Sequence, residues 1–157
     1  MTNVGELLRE LFSNRVLIAG CLGWFIAQIV KTIIYAVINR TLRWERMVGD
    51  GGMPSAHSAT YSCMAMTAAL VYGVGSFEFA ITAMLASVVM HDAMGVRWET
   101  SKQAVIINEL VKLFEELGDR HVPVEKKLKE FVGHTPLQVL CGMILGILIA
   151  ALYNLWR

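Results

Sequence analysis

The sequence predicts an all-α integral membrane protein, a helical bundle of about four transmembrane helices with an amphipathic helical segment on its cytoplasmic side. Three observations carry this expectation. Of 157 residues, 55% are hydrophobic and only 17% charged, and the mean hydropathy is +0.52, too apolar for an ordinary soluble domain. Four apolar stretches, 16–38, 54–73, 77–96 and 136–156, each have about the length a bilayer requires. The charged residues gather between those stretches, most of all in 98–133. The chain 1–157 is then one membrane domain. A net charge of +1 with no dense basic stripe argues against a nucleic-acid partner.

Residues 5–13 form one or two amphipathic turns suited to the membrane interface. Glu6, Arg9 and Glu10 and the lack of a small-residue cleavage site make the following apolar stretch a retained span rather than a signal peptide. Within that span Gln28, Lys31 and Tyr35 fall three and four residues apart, on one helical face. Lys31 either snorkels toward a helix end or turns into the bundle. Arg40, Arg43 and Arg46 then lead to the run Asp50-Gly51-Gly52-Met53-Pro54-Ser55-Ala56-His57-Ser58. Asp50-Gly51-Gly52 has turn chemistry, and Pro54 is expected in the first turn of the next helix.

Ala59, Ala65, Ala68 and Ala69 make the second span a close-packing one. A tight turn at 73–76 leads to the third span, which ends in His91-Asp92-Ala93-Met94-Gly95-Val96-Arg97. Charges recur throughout 98–133, so that segment cannot span. Val105, Ile106, Leu110, Leu113, Phe114 and Leu117 give it an amphipathic helix, with Gly118 as a stop and a short Lys-rich helix from Pro123. Cys21, Cys63 and Cys141 lie in three separate apolar stretches and are expected as small buried hydrophobes. The nine methionines serve as packing filler or face lipid.

Four spans place the starts of the second and fourth, the ends of the first and third, and all of 98–133 on one side of the membrane. That side holds ten Lys and Arg against three on the other, with Lys31 inside a span. The positive-inside rule makes it cytoplasmic, in a plasma (inner) membrane. His57 then opens the second span and His134 the fourth, while Asp92 and Arg97 close the third. Two imidazoles at two helix N-termini, ringed by cations, suit phosphoryl transfer. One attacks phosphorus, the other protonates the leaving oxygen, and N–H groups and cations hold the remaining oxygens. The scheme requires no metal and no cofactor. Taken alone, each histidine is also compatible with an ordinary interfacial role.

Pro54-Ser55-Ala56-His57 resembles the Pro-Ser-Gly-His motif of the type 2 phosphatidic acid phosphatase and vanadium haloperoxidase superfamily. Gly133-His134-Thr135-Pro136-Leu137-Gln138-Val139-Leu140-Cys141-Gly142 resembles its last motif. Together with Trp24, Gln28, Lys31, Asp92-x-x-Gly-Val-Arg97 and Lys102-Gln103, the set looks like the divergent short membrane branch of that superfamily, over nearly the whole chain. The resemblance implies His134 as nucleophile and His57 as general acid. It implies Ser55 and Gly133 as phosphate ligands, with Lys31 matching the lysine of the first motif. Thr135, Gln138, Lys102 and Lys129 are supporting candidates.

Three positions depart from the superfamily's pattern. Gln138 stands where an Asp orients the nucleophile, and it cannot stabilise an imidazolium by charge. Leu128 stands where an Arg is expected, with Lys127 and Lys129 beside it, and the first motif's Arg-Pro pair is missing. Asp92 can take the orienting role and Arg97 the lost phosphate contact. Thr135-Pro136-Leu137-Gln138 also fits a helix capping box, a role compatible with catalysis.

The expected activity is hydrolysis of a lipid or isoprenoid phosphate or diphosphate through a phosphohistidine, in a chain that can pair as a homodimer. The alternative is a membrane protein without catalysis that binds lipid phosphate or scaffolds a partner in lipid metabolism.

Overall fold

The computed structural model describes residues 3–42, 47, 51–117, 128 and 133–156. The expectations for Arg43, Arg46, Asp50, Lys129 and the helix from Pro123 lie outside these residues. Six helices follow in chain order: α1 (Val4–Ser13), α2 (Arg15–Asn39), α3 (Ala56–Tyr72), α4 (Phe77–Met94), α5 (Val96–Leu117) and α6 (Pro136–Leu155). Among the described residues there is no strand.

Each boundary has a local cause. Asn3 caps α1 in a capping box with Glu6. The Asn14 side chain accepts from Leu17 N at the start of α2, and Ser76 Oγ does the same for Phe79 N at α4. Ser55 is the N-cap of α3, so Pro54 stands just outside that helix rather than in its first turn. The two glycines before it are in the left-handed region, Gly51 at φ 77° and Gly52 at φ 86°, a conformation that side chains with a Cβ rarely adopt. Between α4 and α5 only Gly95 intervenes. Its N–H donates to His91 O at 2.8 Å and its carbonyl accepts from Glu99 N at 3.0 Å, so α5 starts at Val96, two residues before the expected amphipathic segment.

α3 is the inner helix, packed against α2, α4 and α6, while α5 packs on α4 and α1 touches only α2. The helices meet almost backbone to backbone. A methyl group added at Gly142 would overlap the Ser55 carbonyl, and one at Gly146 would overlap the Ala59 carbonyl. Such contact lets dispersion and packing drive association where lipid leaves no hydrophobic force between helices. α2, the run Phe77–Phe114 and α6 are long and apolar enough to cross a membrane. α3 has 17 residues, a rise of about 26 Å, at the lower limit for a span.

The expectation of three buried cysteines changes: Cys63 is buried, Cys141 is half-buried and Cys21 is exposed on α2. The apolar stripe of α5, from Ile106 through Leu110, Leu113 and Phe114 to Leu117, is exposed. Its opposite face buries Ser101, Ala104 and Asn108.

Candidate functional site

The polar end of the bundle is where α2 and α4 finish and α3 and α6 begin. There His57 and Tyr61 of α3, Asp92 of α4, Arg97 of α5 and His134 line one cavity of about 370 Å³, together with Val88, Val89 and Ala93. Residues 77 positions apart in sequence thus meet because α3 and α6 pack side by side with their N-termini at the same end. A larger cavity of about 840 Å³ between α1, α2 and α3 is walled by Leu11, Phe12, Trp24, Phe25 and Met64. Its lining is almost wholly apolar, with Cys21 and Thr60 the exceptions, and it can hold an apolar chain.

His134 is buried, at 4% exposure, and is held from several directions. Its backbone N–H donates to Ala93 O at 3.1 Å, tying it to the end of α4. The N–H of Gly133 donates to Ser101 Oγ at 2.9 Å. Gly133 is a necessity of this approach, since a Cβ there would fall inside the backbone of Trp98. On the α6 side, Thr135 is the N-cap, Pro136 opens the helix and Gln138 completes the capping box.

The imidazole Nδ1 lies 3.2 Å from Gln138 Oε1, and the same oxygen accepts the Thr135 N–H at 3.2 Å. The Thr135 donor identifies which end of the amide is oxygen. An oxygen can only accept, so Nδ1 is the protonated nitrogen, and in the neutral ring the lone pair is on Nε2. Gln138 therefore does geometrically what a carboxylate would do, without the charge.

His57 is exposed, at the first turn of α3. Ser55 before it is fully buried and is used by the helix itself: its Oγ accepts from Ser58 N at 3.4 Å and its N–H donates to Gln138 O at 3.0 Å. The second bond joins the two motifs directly. Asp92 accepts from Arg97 Nε at 2.6 Å, a pair that is about half exposed at both ends, so screening leaves it little value for stability. It sets the direction of a guanidinium on the cavity wall.

Lys31 is turned into the bundle rather than snorkelling, at 4% exposure. Its stem lies against Gly52, and it is not among the cavity-lining side chains. Lys102 lies apart from the cavity, with its Nζ on Glu99 Oε1 at 2.7 Å and over the Trp98 ring. The structure thus brings His57, Asp92, Arg97 and His134 together with Gln138, Thr135 and Gly133 behind them. Ser55 and Lys31 sit deeper, and Lys102 sits outside.

Sequence reasoning missed Ser101, which holds the N–H of Gly133 beside His134, and Asn108, which holds the backbone of Leu128. Their signal is a short uncharged face, Ser101, Ala104 and Asn108, opposite the apolar stripe of an otherwise charged helix.

Fold and site together define an α-helical integral membrane protein with a two-histidine cavity at one end of the bundle. The chain matches the Divergent PAP2 family over residues 12–149, and it belongs to that family. The membrane protein YuiD of Bacillus subtilis (strain 168) is 37% identical over 148 residues, covering 89% of this chain and 94% of the relative. No solved structure matches.

Proposed function

We propose that this chain is a metal-independent membrane phosphatase that hydrolyses a lipid or isoprenoid phosphate or diphosphate through a phosphohistidine on His134. The observation that carries the reading is the pairing of His134 Nδ1 with Gln138 Oε1 at 3.2 Å, inside the cavity that His57 and Arg97 also line.

In the first half-reaction Nε2 of His134 attacks phosphorus, and a P–N bond forms as the P–O bond to the leaving group breaks. His57, as imidazolium, gives its proton to the departing oxygen. In the second half, neutral His57 takes a proton from water as that water's oxygen attacks phosphorus. The P–N bond breaks, inorganic phosphate leaves and the lone pair returns to Nε2. Arg97, directed by Asp92, and the positive end of α3 hold the negative oxygens. The orienting role first considered for Asp92 passes to Gln138. The lipid tail stays in the bilayer while its head reaches the helix starts. The site faces the cytoplasm of a plasma (inner) membrane on the count of basic residues, in a four-span topology that includes α3. The exposed apolar faces accommodate a second copy as a homodimer.

Purified protein, assayed without metal on phosphatidic acid, phosphatidylglycerophosphate and prenyl diphosphates, is expected to release phosphate from at least one. His134→Ala is expected to lose this release by about 10³-fold or more. Release that survives His134→Ala refutes the scheme. One observation favours a second reading, a lipid-phosphate binder without turnover: Gln138 supplies no charge to an imidazolium. Binding of a phosphate head group with no release from any of these substrates is its signature.

A further inference from the structure

We infer that Ser101 and Asn108 of α5 are positioning residues that anchor Gly133 and Leu128, on the N-terminal side of His134, so that α5 is a structural wall of the site rather than a cover over it. The inference rests on the phosphohistidine reading for its kinetic part and on geometry alone for the rest.

Both side chains are nearly buried, Ser101 at 6% and Asn108 at 5% exposure, one on either side of Ala104 on the inward face of α5. Asn108 Nδ2 donates to Leu128 O at 2.9 Å, and Asn108 Oδ1 accepts from Leu128 N at 3.0 Å. Two bonds thus fix both backbone groups of one residue. Asparagine alone offers a donor and an acceptor side by side at that reach, since aspartate offers two acceptors and leucine neither. Ser101 Oγ takes the N–H of Gly133 at 2.9 Å, immediately before the nucleophile. α5 therefore grips the chain 20 and 32 residues away from its own two side chains.

These bonds and the Gln138 bond control different things. Gln138 sits on α6 and fixes the tautomer of His134. Where Nε2 stands relative to His57 on α3 and Arg97 on α5 depends on where the 133–134 backbone attaches to α4 and α5. Cutting the α5 attachments leaves the tautomer and the substrate's own binding groups intact while moving the attacking nitrogen. A displacement of about 1 Å can cost about 10²-fold in rate. The loss therefore falls on kcat and not on KM.

The test uses the full chain in lipid nanodiscs with a substrate found above. Ser101→Ala and Asn108→Leu are each expected to lower kcat about 10- to 100-fold with KM within about twofold. Ser101→Thr, which keeps the acceptor oxygen, is expected to retain kcat. Amide exchange over 128–135 should quicken in both damaging variants, with the α3 and α6 peptides unchanged. Should Asn108→Leu fail to fold, Asn108→Asp carries the same expectation, because it keeps the shape and removes the donor to Leu128. Unchanged exchange at 128–135, or faster exchange with unchanged kcat, overturns the inference. If the wild type hydrolyses nothing, the phosphohistidine reading fails separately. The same variants are then read by exchange and by the rate of diethyl pyrocarbonate modification of His134. A rise in both supports the inference, and constancy in either overturns it.

Discussion

At the start of α3 the histidine is exposed and its neighbour Ser55 is sealed inside; at the start of α6 the histidine is sealed and its neighbour Thr135 is half-buried. His57 stands on a helix held in place by the Ser55 cap and by the Ser55 N–H to Gln138 O bond. His134 stands just outside its helix, fixed through its own N–H, through Gly133 and through its ring. A nucleophile gains from being held to one position, because its lone pair must meet phosphorus along one line. A proton donor must instead exchange its proton with water between half-reactions, and exposure serves that purpose. The contrast supports assigning the nucleophile to the second motif and the acid to the first.

The largest effect that breaks this division is expected from His57→Ala. With a lipid alkoxide leaving group kcat should fall by about 10²- to 10⁴-fold. With a nitrophenyl phosphate, whose leaving oxygen needs no proton, the pre-steady-state burst of nitrophenolate should keep most of its rate, while steady-state turnover stays slow because His57 is also the base of the second half-reaction. Equal losses in the phosphorylation step on both substrates would remove His57 from the acid role. Next is the seam that brings the motifs together. Gly146→Ala, which drives a methyl into the Ala59 carbonyl, should cost about 1–3 kcal/mol, read as a lower midpoint in thermal unfolding in detergent.

A smaller and opposite effect is expected from Gln138→Glu. The substitution keeps the reach to His134 Nδ1 and Thr135 N, adds the charge an imidazolium favours, and suits the first turn of a helix. It should raise kcat severalfold, whereas Gln138→Leu should lower it. The smallest belongs to Lys102→Ala. This residue pairs with Glu99 at the exposed surface, so both stability (within about 0.5 kcal/mol) and activity should hardly move.

Much of this arrangement is legible in the sequence. Apolar length and punctuation place α2, α3, α4 and α6 to within two residues of their ends. The capping box at Thr135–Gln138 is a local pattern and forms as expected. The meeting of His57 and His134 at one end follows from counting spans. What was hidden depends on tertiary contact. Pro54 yields the helix start to Ser55, whose side chain caps α3 and whose N–H donates to Gln138 O across to α6. The Asp92–Arg97 pair forms across the Gly95 turn, whose direction no local pattern gives. Asn108 and Ser101 bind backbone groups far along the chain, and backbone carries no sequence signature. Gly142 and Gly146 look like ordinary small residues until the carbonyls of α3 are placed against them.

The most direct test of the proposed assignment is to quench the protein with substrate at alkaline pH, where a phosphoramidate survives, and to locate the phosphoryl group by mass spectrometry and ³¹P NMR. Phosphate on Nε2 of His134, accumulating in His57→Ala supplied with a nitrophenyl phosphate and absent in His134→Ala, is the predicted result. Phosphate on Nδ1, on another residue, or phosphate release with no adduct in either protein would contradict it.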